Sequence, residues 1–262
     1  MSVFEGTVYS ESLRMMTQLC VCLPQGSKGR SPYAQCGETP VLYLLHGLSD
    51  NHTAWLRRTR VDYYAERAGI AVVMPEVQRS FYFDMHYGLD YFTYLSEELP
   101  ALCRQLFRLS SRREENFVAG FSMGGYGALK TALRRPDRFG GAASFSGALD
   151  LKGRMNGDSL LSAGEVEAIS GGQVGEDDDL FALSREVGRA ACPPLYITCG
   201  EEDFLLEDNR RFRRHLDELG IAHNYEEWPG EHCWEFWEES IRRSMDWFSG
   251  LLPPDAVRRV KV

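Results

Sequence analysis

The chain has 262 residues, 44% hydrophobic and 12% aromatic, enough to bury a sizeable core in one large domain. A formal net charge of −9 argues against nucleic acid or an anionic membrane as partner, because phosphate binding relies on clustered Lys and Arg. No run of about eighteen apolar residues and no basic-then-apolar leader occurs, and the seven cysteines lack metal-ligand spacing, so a cytosolic location with reduced thiols is expected.

In chain order, Ser12 to Leu23 sets apolar Leu13, Met15, Leu19, Val21 and Leu23 among polar residues, which predicts an early antiparallel strand closing at Pro24. Gln25 to Thr39 reads as a polar loop. Val41 to Leu45 is continuously apolar, as in a central strand covered on both faces, and it delivers His46, Gly47 and Leu48 into a loop. Trp55 to Ala68 reads as one helix with Leu56, Tyr63, Tyr64 and Ala68 inward, ended by Gly69 before a strand at Ile70 to Met74. Tyr82 to Tyr94 is aromatic-rich and irregular, and Leu95 to Phe107 is helical, with Pro100 starting or kinking it.

Asn116 to Ala119 is the next buried strand, and Tyr126 to Leu133 has helical spacing before Pro136. Phe139 to Phe145 and Leu195 to Cys199 are further strands, separated by the main insertion, Gly147 to Ala191. Its acidic run, Glu176 to Asp179, reads as a complement to the dipole of the helix at Leu180 to Val187 rather than as a cation site. An amphipathic helix (Asp208 to Leu219), a strand (Ala222 to Trp228) and a helix (Trp234 to Phe248) complete the chain. Strands alternating with helices imply an α/β fold with a mostly parallel central sheet and helices on both faces. Residues 1–262 are expected to form one domain, with the insertion at about 147–191 over a site at the carboxyl ends of the strands.

Between the strand and the helix at the centre of the chain lies Gly120-Phe121-Ser122-Met123-Gly124. Glycines two residues either side of a serine let strand and helix backbones approach, so that a strained turn can hold the hydroxyl exposed. A serine hydroxyl is a poor nucleophile at neutral pH and needs a base, an orienting carboxylate and preorganised oxyanion donors. On such an elbow the partners follow in the order Ser, acid, His, which leaves His215, His223 and His232. His215 sits mid-helix among arginines and reads as solvated, His223 opens a strand, and His232 lies in a loop that can reach across the sheet, which favours it. Asp203, a few residues past Leu195 to Cys199, is favoured as the acid, with Asp150 as its rival. Asp208 reads as a helix cap, and Glu201 and Glu202 as exposed turn residues. The oxyanion donors should be the Met123 amide and one amide from His46, Gly47 or Leu48, with His46 itself a structural anchor rather than a base. Among Trp55, Phe204 and Trp234, Trp55 is the candidate for an acyl pocket. The chemistry needs no cofactor or metal.

His46 to Trp55, Gly120 to Leu129, Cys199 to Asn209 and Gly230 to Trp237 together resemble the esterase D type of α/β-hydrolase, and especially its bacterial tributyrin esterase branch. The resemblance spans nearly the whole chain. It implies a serine carboxylesterase acting on short acyl esters, with Ser122, Asp203 and His232 as triad and the amides of Leu48 and Met123 as oxyanion donors. Because the family also includes S-formylglutathione hydrolases and feruloyl or acetyl-xylan esterases, a thioesterase or an aromatic esterase is the alternative. A small-molecule ester is the implied partner, and a homo-oligomer is left open.

Overall fold

The computed structural model describes residues 1–25, 38–155 and 161–261; most of the expected loop at Gln25 to Thr39 lies outside them. Eight strands form one sheet: β1 (Ser2–Ser10), β2 (Met15–Leu23), β3 (Val41–Leu45), β4 (Ala71–Pro75), β5 (Asn116–Phe121), β6 (Gly141–Phe145), β7 (Leu195–Gly200) and β8 (His223–Trp228). Their order is β1-β2-β4-β3-β5-β6-β7-β8, antiparallel from β1 through β2 to β4 and parallel from β4 onward.

The helices are α1 (Ala54–Arg58), α2 (Val61–Ala68), α3 (Tyr91–Thr93), α4 (Leu99–Phe107), α5 (Met123–Arg134), α6 (Leu151–Met155), α7 (Ala163–Ser170), α8 (Leu180–Ala191), α9 (Leu206–Glu218), α10 (Trp234–Leu251) and α11 (Pro254–Lys261). Parallel neighbours need crossovers, and the helices supply them on both faces. Successive side chains of β3 therefore enter different cores: Val41, Tyr43 and Leu45 pack with Leu129 of α5 and Phe212 of α9, whereas Leu42 and Leu44 pack with Val61 of α2 and Ile241 of α10. This two-sided burial is why β3 reads as a solid apolar run rather than an alternation. No helix among the described residues is long and apolar enough to cross a membrane.

The early antiparallel strand holds as β2, with an unexpected partner, and three local expectations need correction. The early strand is the second arm of a hairpin whose first arm, β1, is mostly exposed and so carries no burial period for a sequence reading to detect. The helix expected over Trp55 to Ala68 breaks at Thr59 and Arg60; the restart brings Val61, Ala65 and Ala68 inward and leaves Tyr63 about half exposed. His215 is not solvated, since its Nε2 lies 3.0 Å from the Phe181 carbonyl and 3.1 Å from Ser184 Oγ, joining α9 to α8. A last helix, α11, follows Pro253. Two other expectations hold: Gly69 closes α2 in the left-handed region (φ 67°), and Pro100 marks an irregularity in its helix, which runs from α3 through a π-helical turn at Tyr94–Glu98 into α4; the Ser96 carbonyl, which a proline cannot donate to, accepts from Arg138 at 2.9 Å.

Candidate active site

The fully buried strand β5 runs into Ser122, which stands at φ 55° and ψ −119°. That conformation costs a non-glycine residue about 1–3 kcal/mol unless its surroundings hold it. Here the Ser122 N–H donates to the Phe145 carbonyl at 2.9 Å, and its own carbonyl accepts from Gly125, Tyr126 and Ala148. Strand and helix can meet only because the flanking residues lack side chains. A Cβ on Gly120 would lie 2.5 Å from the Gly124 carbonyl oxygen, and one on Gly124 would lie 2.5 Å from that of Leu45 and 2.7 Å from that of His46.

His232, in the loop after β8, reaches this elbow. Its Nε2 lies 3.0 Å from Ser122 Oγ and its Nδ1 lies 2.8 Å from Asp203 Oδ2. The buried Asp203 also accepts the Leu205 N–H at 2.8 Å, so its carboxylate is oriented before it meets the ring. A carboxylate only accepts, which places the imidazole hydrogen on Nδ1 and turns the Nε2 lone pair toward the hydroxyl. The edge of Trp237 (4.9 Å) and the tilted ring of Phe204 (4.6 Å) flank the imidazole.

The other candidates lie elsewhere. Asp150 pairs with Arg211 at 2.5 Å and accepts the Gly153 N–H at 3.0 Å. Asp208, in the first turn of α9, pairs with Arg154 and Arg211. Glu201 and Glu202 are exposed, and Glu202 accepts the Gly230 N–H. His223 Nδ1 meets the Ile221 carbonyl at 2.9 Å.

The loop after β3 is held by His46. The Val77 N–H donates to its Nε2 at 3.2 Å, leaving Nδ1 as donor to the Gly47 carbonyl at 2.8 Å. That carbonyl also accepts the Asp50 N–H at 3.2 Å. In a planar trans peptide the N–H opposes the carbonyl, so pinning Gly47 O on one side sends the Leu48 N–H to the other. Met123 opens α5, where a first-turn amide has no partner within the helix.

Glu76, one residue past β4, belongs to no sequence motif, and its place at a strand's carboxyl end is the one signal that points to it. It accepts from His52 twice, at Nδ1 (3.1 Å) and at the backbone amide (3.2 Å), and approaches His46 Nε2 at 3.5 Å. Burial opposes its charge, but the hydrogen bonds it accepts, those of His52 and the Gln78 amide among them, outweigh that and hold its carboxyl down at about 2.

Trp55 does not line a pocket. It is 1% exposed, donates Nε1–H to the Leu45 carbonyl at 3.0 Å, and packs edge-on against Phe121, Phe145 and Trp234. A large ring beside a strand end found its partners within the core. Phe204, 53% exposed beside His232, is the one of the three aromatics that lies on the surface, with Trp234 partly buried.

Residues 10–248 match the family model described as "Putative esterase". The chain is 30% identical over 263 residues to an acetyl esterase of Caldicellulosiruptor saccharolyticus, covering 95% of this chain and 98% of that protein. Among solved structures it resembles FphF, a fluorophosphonate-binding serine hydrolase of Staphylococcus aureus solved with substrate bound (TM-score 0.87, 32% identity, 95% of this chain and 98% of that one). It also resembles the S-formylglutathione hydrolase FrmB of Staphylococcus aureus (TM-score 0.83, 32% identity, 95% and 98%). With the matched region running from the end of β1 to the last turn of α10, the chain belongs to this esterase family and is a serine carboxylic ester hydrolase of the α/β-hydrolase fold.

Proposed function

We propose that the enzyme hydrolyses short-chain acyl esters through Ser122, His232 and Asp203, with the amides of Leu48 and Met123 as oxyanion donors. The observation that carries this reading is the single imidazole bridging Ser122 Oγ and the Asp203 carboxylate on opposite nitrogens. Ser122 Oγ attacks the ester carbonyl as its proton passes to His232 Nε2, and Asp203 stabilises the imidazolium that forms. The carbonyl oxygen takes up the negative charge and meets the two amides. Collapse expels the alcohol, which receives the proton from Nε2; water then repeats the sequence on the acyl-enzyme and releases the acid. No step calls on a cofactor.

The reading treats residues 1–262 as one domain with the 147–191 insertion over the site, and places the protein in the cytosol, where the six described cysteines would remain the free thiols they are here. Short acyl chains are favoured by the acetyl esterase relative. A thioesterase acting on S-formylglutathione is the second reading, favoured by the relative that bears that name.

A p-nitrophenyl ester series from acetate to octanoate, run beside S-formylglutathione and methyl ferulate, tests both. The highest kcat/KM should fall on acetate or butyrate and vanish in Ser122→Ala. Octanoate outperforming butyrate would overturn the short-chain reading, and S-formylglutathione outperforming every oxygen ester would establish the second. Turnover surviving in Ser122→Ala would remove the triad.

A further inference from the structure

Tyr82, in the loop after β4, is fully buried and adopts φ 59°, next to Phe81 at φ 50°. Two consecutive non-glycine residues in the left-handed region persist only where contacts over-determine them, and such strain concentrates at functional sites. Four contacts hold Tyr82. Its N–H donates to Ser80 Oγ at 3.1 Å, its carbonyl accepts from Lys130 Nζ at 2.9 Å, its hydroxyl donates to the His46 carbonyl at 2.8 Å, and its ring covers Gly127, where a Cβ would lie 2.3 Å from it.

Lys130 is itself unusual, an ammonium with no exposed surface two turns beyond Ser122 on α5. Asp178, from the insertion, neutralises it at 2.5 Å, and the Phe83 ring lies 3.8 Å from Nζ. The Asp178 carbonyl accepts Tyr126 Oη at 2.6 Å, a second tie between the insertion and the nucleophile helix. Burial lowers the ammonium's pKa to about 8 against the pull of Asp178, so it is charged at neutral pH.

The carbonyl that Tyr82 grips is where the two halves of the site meet. His46 O lies against Gly124, at 2.7 Å from where a Cβ would stand, and Gly124 follows Met123. Two residues further along the β3 loop is Leu48. The position of this carbonyl therefore sets how far the Leu48 amide stands from the Met123 amide.

We propose that Tyr82 is a positioning residue of the oxyanion hole, held in its strained conformation by the buried Lys130 and its partner Asp178, so that the seating of the insertion on α5 is coupled to acyl transfer. This rests on the reading of Leu48 and Met123 as the oxyanion donors.

Tyr82→Phe removes one hydroxyl and keeps the ring. With p-nitrophenyl acetate, kcat should fall about tenfold, the worth of one buried hydrogen bond, while KM stays within about threefold. The inhibition constant of a trifluoromethyl ketone, to which Ser122 would add and whose oxygen would enter the hole, should rise by the same factor as kcat/KM falls. A merely structural role would not move that constant in step. Lys130→Met should lower kcat in the same way, and the double variant should lose less than the product of the single losses, because both act through one carbonyl. A kcat within about twofold of the parent in Tyr82→Phe, or a loss confined to KM, would overturn the proposal. Should Tyr82→Phe not fold, the kinetics and inhibitor affinity of Lys130→Met decide alone, by the same criteria. Ser122→Ala separates the two levels: if it is inactive while Tyr82→Phe behaves as the parent, only this inference falls, whereas an active Ser122→Ala removes the catalytic reading beneath it.

Discussion

The Asp150 carboxylate meets the Arg211 guanidinium at 2.5 Å, and it is Asp203 that meets His232, at 2.8 Å. Both aspartates follow strands of the sheet, so the contrast can be tested in matched substitutions. Asp203→Asn should lower kcat by roughly 10⁴, as an amide favours the wrong imidazole tautomer. Asp150→Asn weakens an ion pair with a half-exposed arginine and should leave kcat nearly unchanged. Melting temperature and circular dichroism should move little in either variant, and a large kcat loss in Asp150→Asn alone would transfer the acid's role to it.

Gly124 makes a second comparison possible. Its Cβ would strike two backbone carbonyls, those of Leu45 and His46, which cannot rotate away as a side chain can. Gly124→Ala should therefore cost about 1–3 kcal/mol or more and most of the activity, as the elbow is pushed off β3. Gly164, on α7, has open space within 4 Å of where a Cβ would stand, so Gly164→Ala should stabilise the protein by up to about 1 kcal/mol. Urea denaturation of the three proteins checks both signs.

Glu76 should make stability depend on acid. Its folded pKa of about 2 lies below the ordinary 4.5, so its charged form contributes stability above about pH 4.5, and that contribution is lost as pH falls toward 2. The difference in melting temperature between the parent and Glu76→Gln should be largest near neutral pH and should shrink by pH 3. A difference that stays constant over that range would show that the bonds the carboxylate accepts from His52 and the Gln78 amide do not carry the effect.

Trp55 and Phe204 should separate stability from specificity. Trp55→Phe removes the bond to the Leu45 carbonyl and part of an aromatic cluster, so it should destabilise by about 1–3 kcal/mol and leave the order of preferred esters unchanged. Phe204→Ala, at an exposed ring beside His232, should leave stability nearly unchanged and alter KM across the ester series. The opposite pattern would return Trp55 to the pocket.

The elements legible in the sequence are those whose burial leaves a local mark. β3, β5 and β7 are covered on both faces and read as unbroken apolar runs, and the Gly120 and Gly124 spacing announces an elbow that other residues would obstruct. Chain order also narrows the base to three histidines. β1 leaves no such mark because it lies mostly exposed at the sheet edge, and the break at Thr59 is hidden because both halves of the segment keep helical spacing. What tertiary structure alone decided were meetings between loops from distant strands: Asp203 rather than Asp150 against His232, Trp55 turned into the core, Glu76 between two histidines, and Lys130 sealed beneath Asp178. Periodicity reports which face of an element is buried, but a side chain's partner depends on where the sheet brings residues tens of positions apart.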